Sequence, residues 1–125
     1  GKFQTLELVH ANIENVRLPC QPVRLILAAL VLEYVDVIKT LPRLRAALTE
    51  GGILVTVVQI PNPSIPAVSP SPFTSLNELE PILHWIEPSV LRTLLKNSGL
   101  TEFESRSLHT IAGKTFYQQI FRATL

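Results

Sequence analysis

Two short apolar runs, 23–29 and 53–59, flank a segment whose apolar residues recur every three to four positions. Continuous apolar runs of this length are typical of strands in a parallel sheet that is covered on both faces. The spacing of the intervening segment is that of an amphipathic helix. A strand, a helix and a strand in this order predict a right-handed crossover between two parallel strands.

The predicted helix has a start signal, an internal proline and a stop signal. Asp36 is a residue type that caps helix N-termini. Pro42 either kinks the helix or stands in the first turn of a restarted one, and we favour the restart. Gly51 and Gly52 provide a left-handed stop. The apolar positions expected to face the sheet are Val37, Ile38, Leu41, Leu44, Ala47 and Leu48.

The segments on either side of this crossover are less regular. Residues 5–11 alternate weakly and predict a short strand, followed by a polar loop over 12–22. Five of the ten prolines fall within 61–72, which excludes regular structure there. A loop over the carboxyl end of the sheet is favoured over an interdomain linker, because little chain follows it. Residues 75–83 predict a short helix with Ser75 as its cap.

The last third of the chain predicts a helix and a hairpin. Pro88 suits the first turn of a helix and Gly99 its end, with an apolar stripe between them. Residues 101–109 and 115–123 then predict two antiparallel strands joined by 111–114. The apolar stripe consists of Val90, Leu91, Leu94 and Leu95.

Composition and charge limit the classes of protein. With 125 residues, 46% of them hydrophobic, residues 1–125 predict a single domain. The eleven Lys and Arg are scattered and the net charge is +1, which argues against a nucleic-acid partner. The longest apolar run is too short to span a membrane.

A lone cysteine, Cys20, allows no internal disulfide and fits a cytoplasmic location. Because the chain lacks methionine and begins with Gly1, we expect a fragment of a longer protein.

Most catalytic and metal-binding patterns are missing from the sequence. His10, His84 and His109 lie far apart with no carboxylate or thiol at ligand spacing, so we expect no metal site. Cys20 has no basic neighbour that would lower its pKa. Trp85 is expected to pack in the interior. No nucleophile stands in a GxSxG setting, which argues against hydrolase chemistry of that type.

The order and spacing of several segments resemble those of a known family. The segments are ENxxLP at 14–19, AALVLEYVD at 28–36, the Gly-Gly strand, Ser98-Gly99-Leu100 and the closing hairpin. Together they resemble the C-terminal two-thirds of class I S-adenosylmethionine-dependent methyltransferases over nearly the whole chain. The resemblance implies an α/β fold: a partial Rossmann-like sheet with flanking helices and a C-terminal antiparallel hairpin. The implied strand order is fourth, fifth, seventh, sixth, with the third strand displaced.

The resemblance also implies positions that meet the cofactor. Asn12 and Ile13 match the residues that bind the adenine, although Asn12 is equally explained as a loop residue that tolerates turn geometry. Ala28, Ala29 and Leu30 match the segment that passes the methionine part, and core packing explains the alanines as well.

Residues on the substrate side follow from the same match. Glu33 and Tyr34 stand where substrate would meet cofactor, and a carboxylate there can orient an acceptor or act as general base. A solvated start of the following helix is the favoured explanation of Glu33. Gln59, Ile60 and Asn62, at the end of the fifth strand, would face the site.

One departure from the family is large. The five glycines contain no GxG pair, and the first two strands of the family have no counterpart, so half of the cofactor pocket is missing. We therefore expect weak or absent S-adenosylmethionine binding by this chain and methyl transfer to a small molecule or other nucleophile in its parent. The alternative is a non-catalytic interaction module. The exposed edge of the fourth strand is expected to pair with a second copy, as a homodimer, or with a missing N-terminal half.

Overall fold

A computed structural model describes residues 9, 11–17, 21–61 and 83–124. Four strands and two α-helices are present in these ranges, with a single 3-10 turn, Leu32–Tyr34, between the first strand and the first helix. In chain order the elements are β1 (Val23–Ala29), α1 (Val37–Ala47), β2 (Leu48–Ile60), α2 (Pro88–Asn97), β3 (Leu100–His109) and β4 (Thr115–Ala123).

The four strands form one mixed sheet in the order β1-β2-β4-β3. β1 and β2 are parallel, and β4 is antiparallel to both β2 and β3. This confirms the α/β class, the crossover, the closing hairpin and the predicted order of these four strands. The predicted strand at 5–11 lies largely outside the described residues, and the predicted helix at 75–83 and most of the proline-rich loop do so too.

Both helices contribute to a core on one face of the sheet. Leu54 and Val58 of β2 and Phe121 of β4 are fully buried on that face, together with Leu91 and Leu95 of α2. Leu54 lies directly opposite Phe121 in the ladder, so their side chains share the face. The opposite face keeps exposed apolar residues, including Leu25 and Leu27 of β1, at 61% and 66% exposure. In the described ranges no helix is long and apolar enough to cross a membrane.

Three local predictions for the crossover are wrong. α1 runs without a restart through Pro42, which lies inside the helix and costs it one backbone hydrogen bond. Ile38 is exposed, because Leu41 and Leu44 point to the sheet and Ile38 lies on the outer side of the helix. The helix ends at Ala47, before the two glycines, because Leu48 already has extended backbone angles and begins β2. The predicted cap is confirmed: Asp36 Oδ1 accepts from the backbone N–H of Lys39 at 3.2 Å.

Gly51 and Gly52 serve β2 and not the helix. Val23 pairs with Leu48, whereas Leu25 pairs with Ile53, so β2 carries additional residues in a bulge. Gly51 has a φ of 77° in this bulge, a value that side chains with a Cβ rarely adopt. A Cβ on Gly52 would lie 2.8 Å from the carbonyl oxygen of Thr49. The bulge therefore requires both glycines.

Candidate functional site

The carboxyl ends of β1 and β2 lie side by side, because the two strands are parallel neighbours. Ligands of open α/β sheets bind outside such ends. Leu30 directly follows β1, Glu33 lies in the 3-10 turn after it, and Gln59 and Ile60 close β2. The structure therefore brings these four predicted residues to one edge, whereas Asn62 lies outside the described residues.

Glu33 is buried and connects three segments of the chain. Its side chain is 1% exposed, and its Oε2 accepts a hydrogen bond from the backbone N–H of Gln59 at 2.8 Å. Its own carbonyl accepts from the backbone N–H of His84 at 2.8 Å. The favoured explanation of Glu33 as a solvated start of the helix is therefore wrong. The 3-10 turn directs the side chain toward the end of β2 and away from water.

The second carboxyl oxygen of Glu33 has no partner within the described part of the chain. Oε1 is buried and accepts no hydrogen bond there. Buried polar atoms are nearly always hydrogen-bonded, so an exception next to a ligand-binding edge is informative. Glu33 Oε1 is an unused acceptor, and because it has less than 1 Å² of accessible surface, a donor group of a bound molecule reaches it only when the residues around it move.

Tyr34 lies beside this carboxylate and is partly buried. Burial raises the pKa of its phenol above the usual 10.0, and the negative charge of Glu33 raises the pKa further. The phenol is therefore neutral and able to donate a hydrogen bond at neutral pH.

Replacing Tyr34 by Phe should remove a pH-dependent loss of stability. Since the folded pKa of Tyr34 is raised, the folded chain keeps the phenol proton at a pH where the unfolded chain releases it. The contribution to stability is therefore fully present below about pH 10 and is lost as the pH rises further. Urea unfolding of the wild type and of Tyr34→Phe, below and above about pH 10, measures this contribution. A difference between the two proteins that does not change with pH would contradict the assignment.

Leu30 has a left-handed backbone at the end of β1. Its φ is 57°, and it is the only non-glycine residue of the described ranges with a positive φ. This conformation costs a residue with a Cβ about 1–2 kcal/mol. A hydrogen bond from the N–H of Leu30 to the carbonyl of Val57, 2.9 Å long, holds it in place. Strained backbone is concentrated at functional sites, and here it lies at the carboxyl end of β1.

Leu30→Gly should be better tolerated than Leu27→Gly, the matched control in the regular part of β1. Glycine relieves the left-handed strain at position 30, whereas in the regular strand at position 27 it only adds chain entropy to the unfolded state. Because glycine adds entropy to the unfolded state at both positions and relieves strain only at position 30, we expect the Leu30 variant to be more stable than the Leu27 variant by about 1–2 kcal/mol. Chemical denaturation measures both, and equal losses would argue against strain at Leu30.

The loop 11–17 forms a turn around Asn12. Asn12 Oδ1 accepts from the backbone N–H of Glu14 at 2.9 Å, and its carbonyl accepts from the N–H of Val16 at 2.8 Å. The side chain therefore performs the turn role expected of Asn. An amide oxygen has two lone pairs, so Asn12, which is exposed, keeps one for a ligand.

Two residues that the sequence did not single out hold this loop against α1. Glu14 Oε2 accepts from the N–H of Asp36 at 3.1 Å, and the guanidinium of Arg43 donates to the carbonyls of Ile13, at 3.1 Å, and Val16. No pattern in the sequence distinguished Arg43, which stands outside the apolar positions predicted for this helix. The loop and α1 thus form one unit beside β1.

Ile13 and Ala28 are brought together, and the other predicted cofactor positions are not. Both line one cavity of about 230 Å³ between the loop, β1 and α1. Ala29 and Leu30 are exposed beyond it. Trp85, predicted to pack inside, is 43% exposed, because its neighbour Ile86 fills the core position.

Solved structures share this arrangement of strands and helices. The N-methyltransferase NodS from Bradyrhizobium japonicum WM9, in complex with S-adenosyl-L-homocysteine, matches 90% of the chain at 19% identity with a TM-score of 0.63. An S-adenosylmethionine-dependent methyltransferase from Mesorhizobium loti matches 90% at 19% identity with a TM-score of 0.67. A putative methyltransferase from Haloferax volcanii, solved with the Trm112 methyltransferase activator, matches 92% at 12% identity with a TM-score of 0.68.

The chain has a partial class I methyltransferase fold. It spans 52%, 67% and 60% of the lengths of these three structures, respectively. No protein-family model and no curated protein sequence matches it. Since one fold hosts many reactions, activity must be argued from the site.

Proposed function

We propose that this chain forms the substrate-side half of an S-adenosylmethionine-dependent methyltransferase that acts on a small molecule or another nucleophile. The observation that carries the proposal is Glu33, which is buried beside the carboxyl ends of the two parallel strands and has one acceptor oxygen without a partner among the described residues. Methyl transfer depends mainly on holding a nucleophile in line with the methyl group. Such a site therefore needs a side chain that holds the methyl acceptor in place.

In this proposal Glu33 and Tyr34 orient the methyl acceptor. Oε1 of Glu33 accepts an N–H or O–H of the acceptor, while Oε2 stays bonded to the N–H of Gln59, so the carboxylate keeps its position. The neutral phenol of Tyr34 donates a hydrogen bond to an atom of the methyl acceptor. In a reaction that would join the acceptor to the methyl carbon, break the bond from that carbon to the sulfonium and release S-adenosyl-L-homocysteine, Glu33 Oε1 would take up the proton of the acceptor.

The described residues fit only part of the cofactor. When bound, S-adenosylmethionine supplies an electrophilic methyl group on a sulfonium. Asn12 and Ile13 would hold its adenine, and Ala28, Ala29 and Leu30 would pass its methionine part. Asn12 fits because one lone pair of its amide oxygen stays available. The five glycines of the sequence contain no GxG pair that would let backbone amides approach the cofactor, so we propose weak binding by this chain alone.

Titration with S-adenosyl-L-homocysteine, followed by backbone amide NMR shifts, tests the proposal. We expect a dissociation constant of about 1 mM, equivalent to about 4 kcal/mol, with shifts at Asn12 and at 28–30. Adenosine should shift Asn12 and leave Leu30 in place, because it lacks the amino-acid part. Absence of any shift at these positions, or shifts confined to β3, would count against the site. Micromolar binding would contradict the incomplete pocket.

A second candidate is a non-catalytic interaction module. Within the described ranges β1 pairs only with β2, so its other edge keeps unpaired backbone groups beside the exposed Leu25 and Leu27. Such an edge pairs readily with another chain. The partner would be a second copy, forming a homodimer, or a missing N-terminal half that completes the sheet.

Light scattering separates the homodimer from a single chain. Self-association through β1 predicts a dimer that Leu27→Lys converts to monomer, because charges on an edge strand oppose pairing. Thr101→Lys on β3, the opposite edge of the sheet, is the matched control and should leave the dimer intact. A monodisperse wild-type monomer would argue against self-pairing.

A further inference from the structure

Trp85 is the only tryptophan of the chain, and much of it faces solvent. The residue is 43% exposed, whereas the next residue, Ile86, is buried and fills the core position. No hydrogen bond or ring contact joins the indole to another residue in the described ranges. Single exposed apolar residues are common on protein surfaces, so the surroundings of Trp85 decide whether it has a role.

A backbone hydrogen bond holds Trp85 beside the proposed methyl-acceptor site. The N–H of His84 donates to the carbonyl of Glu33 at 2.8 Å. Trp85 directly follows His84, and standard backbone dimensions keep its Cα within about 8 Å of that carbonyl oxygen. Tyr34 directly follows Glu33 on the other side of the same hydrogen bond. The exposed indole therefore belongs to the edge at which Glu33 and Tyr34 lie.

Glu87 places a carboxylate on the same side of the chain as Trp85. Both residues are exposed and Ile86 between them is buried, so both side chains leave the chain toward solvent. Glu87 has extended backbone angles, and residues two apart in extended chain are separated by about 7 Å. Within the described part of the chain, its carboxylate neither caps α2 nor forms an ion pair.

The two side chains attract the same kind of ligand group. The face of an indole ring attracts cations more strongly than any other aromatic side chain does. A carboxylate about 7 Å further along the chain adds Coulomb attraction for a cation and repels an anion. A positively charged group between Trp85 and Glu87 would contact an aromatic face and a negative charge together.

We propose that Trp85 and Glu87 determine the specificity of the methyl-acceptor site, and that the acceptor is an organic amine that is protonated at neutral pH. The inference rests on the proposed function, which places the acceptor beside Glu33 and Tyr34. The ammonium group is recognised by the indole face and by the carboxylate of Glu87. Acceptors that carry a carboxylate or phosphate at this position are disfavoured, because Glu87 repels them.

Benzylamine and benzyl alcohol are the probes, because they have the same ring and differ in charge at neutral pH. Tryptophan fluorescence comes from Trp85 alone, so a change in it reports contact with this residue. We expect benzylamine to bind the 125-residue chain with a dissociation constant in the millimolar range and to change this fluorescence. Benzyl alcohol should bind about tenfold more weakly, because it lacks the charge. Equal affinities, or benzylamine binding without a fluorescence change, would overturn the proposal.

Three variants, followed by backbone amide NMR shifts, assign the effect to these two side chains. Trp85→Leu and Glu87→Gln should each weaken benzylamine about two- to fivefold and leave benzyl alcohol within about twofold. Glu104→Gln is the matched control, because Glu104 is also exposed and lies on β3. It should leave both affinities unchanged. Equal weakening by Glu87→Gln and Glu104→Gln would contradict the proposal, because benzylamine would then respond only to net charge.

Titration with S-adenosyl-L-homocysteine separates this inference from the proposed function. If that compound shifts Asn12 and 28–30 while benzylamine leaves Trp85 unchanged, the proposed function stands and the amine specificity is wrong. If benzylamine binds at Trp85 with the expected selectivity and S-adenosyl-L-homocysteine causes no shift, the amine site is supported and methyl transfer is not.

Discussion

Glu33→Ala should lower the free energy of unfolding by about 3 kcal/mol. The substitution removes the acceptor of the buried N–H of Gln59 and leaves a cavity where the side chain was. An unpaired buried donor costs about 1–3 kcal/mol, and truncation of a buried side chain adds to it. Urea denaturation at neutral pH measures the change.

Glu33→Gln is the matched control for this experiment. Glutamine keeps an oxygen for the N–H of Gln59 and nearly the same volume, so the expected loss is at most about 1 kcal/mol. The same two variants separate the structural role of Glu33 from its proposed role in methyl transfer. Glu33→Gln should fold, and under the proposed function it should slow methyl transfer, because an amide does not accept the proton of the nucleophile. Equal destabilisation by Ala and Gln would mean that the hydrogen bond to Gln59 is not the stabilising contact.

Phe121→Ala should lower the free energy of unfolding by about 3–5 kcal/mol. Phe121 is fully buried and lies opposite Leu54 at the centre of the sheet. Truncating a buried phenylalanine removes its transfer free energy and leaves a cavity that the strands cannot close. Because single domains are stable by only about 5–15 kcal/mol, the variant should unfold well below the wild-type temperature.

Phe103→Ala, on the neighbouring strand, is the control. Phe103 is 51% exposed, and its main described contact is with the guanidinium of Arg122, 5.2 Å from the ring centroid. An exposed cation–π contact contributes about 0.5–1 kcal/mol, so the expected loss is of that size. Similar losses at both positions would contradict the assignment of the core to the helix-covered face.

The predictions that succeeded depend on signals a few residues long. Pro88 and Gly99 bound α2 almost at the predicted residues, and Asp36 caps α1 as expected. The hairpin was found because its two strands are adjacent in sequence and joined by a short turn. In each case the interacting groups are neighbours along the chain, so local patterns contain the information.

The predictions that failed concern residues whose conformation depends on distant partners. Gly51 and Gly52 resemble a helix stop, but the bulge opposite β1 determines their role. Pro42 resembles a helix start, but packing of Leu41 and Leu44 on the sheet keeps the helix continuous around it. In both cases tertiary packing outweighs a local preference of a few kcal/mol.

The sequence by itself determined the order and type of the elements, the resemblance to half of a methyltransferase, and the missing glycine loop. Only the tertiary structure decided that Glu33 is buried against Gln59 and that Leu30 has a strained backbone. The physical reason is that the spacing of apolar residues along the chain shows which side of a helix or strand is apolar. Which distant backbone N–H reaches a given carboxylate is set only when the sheet assembles.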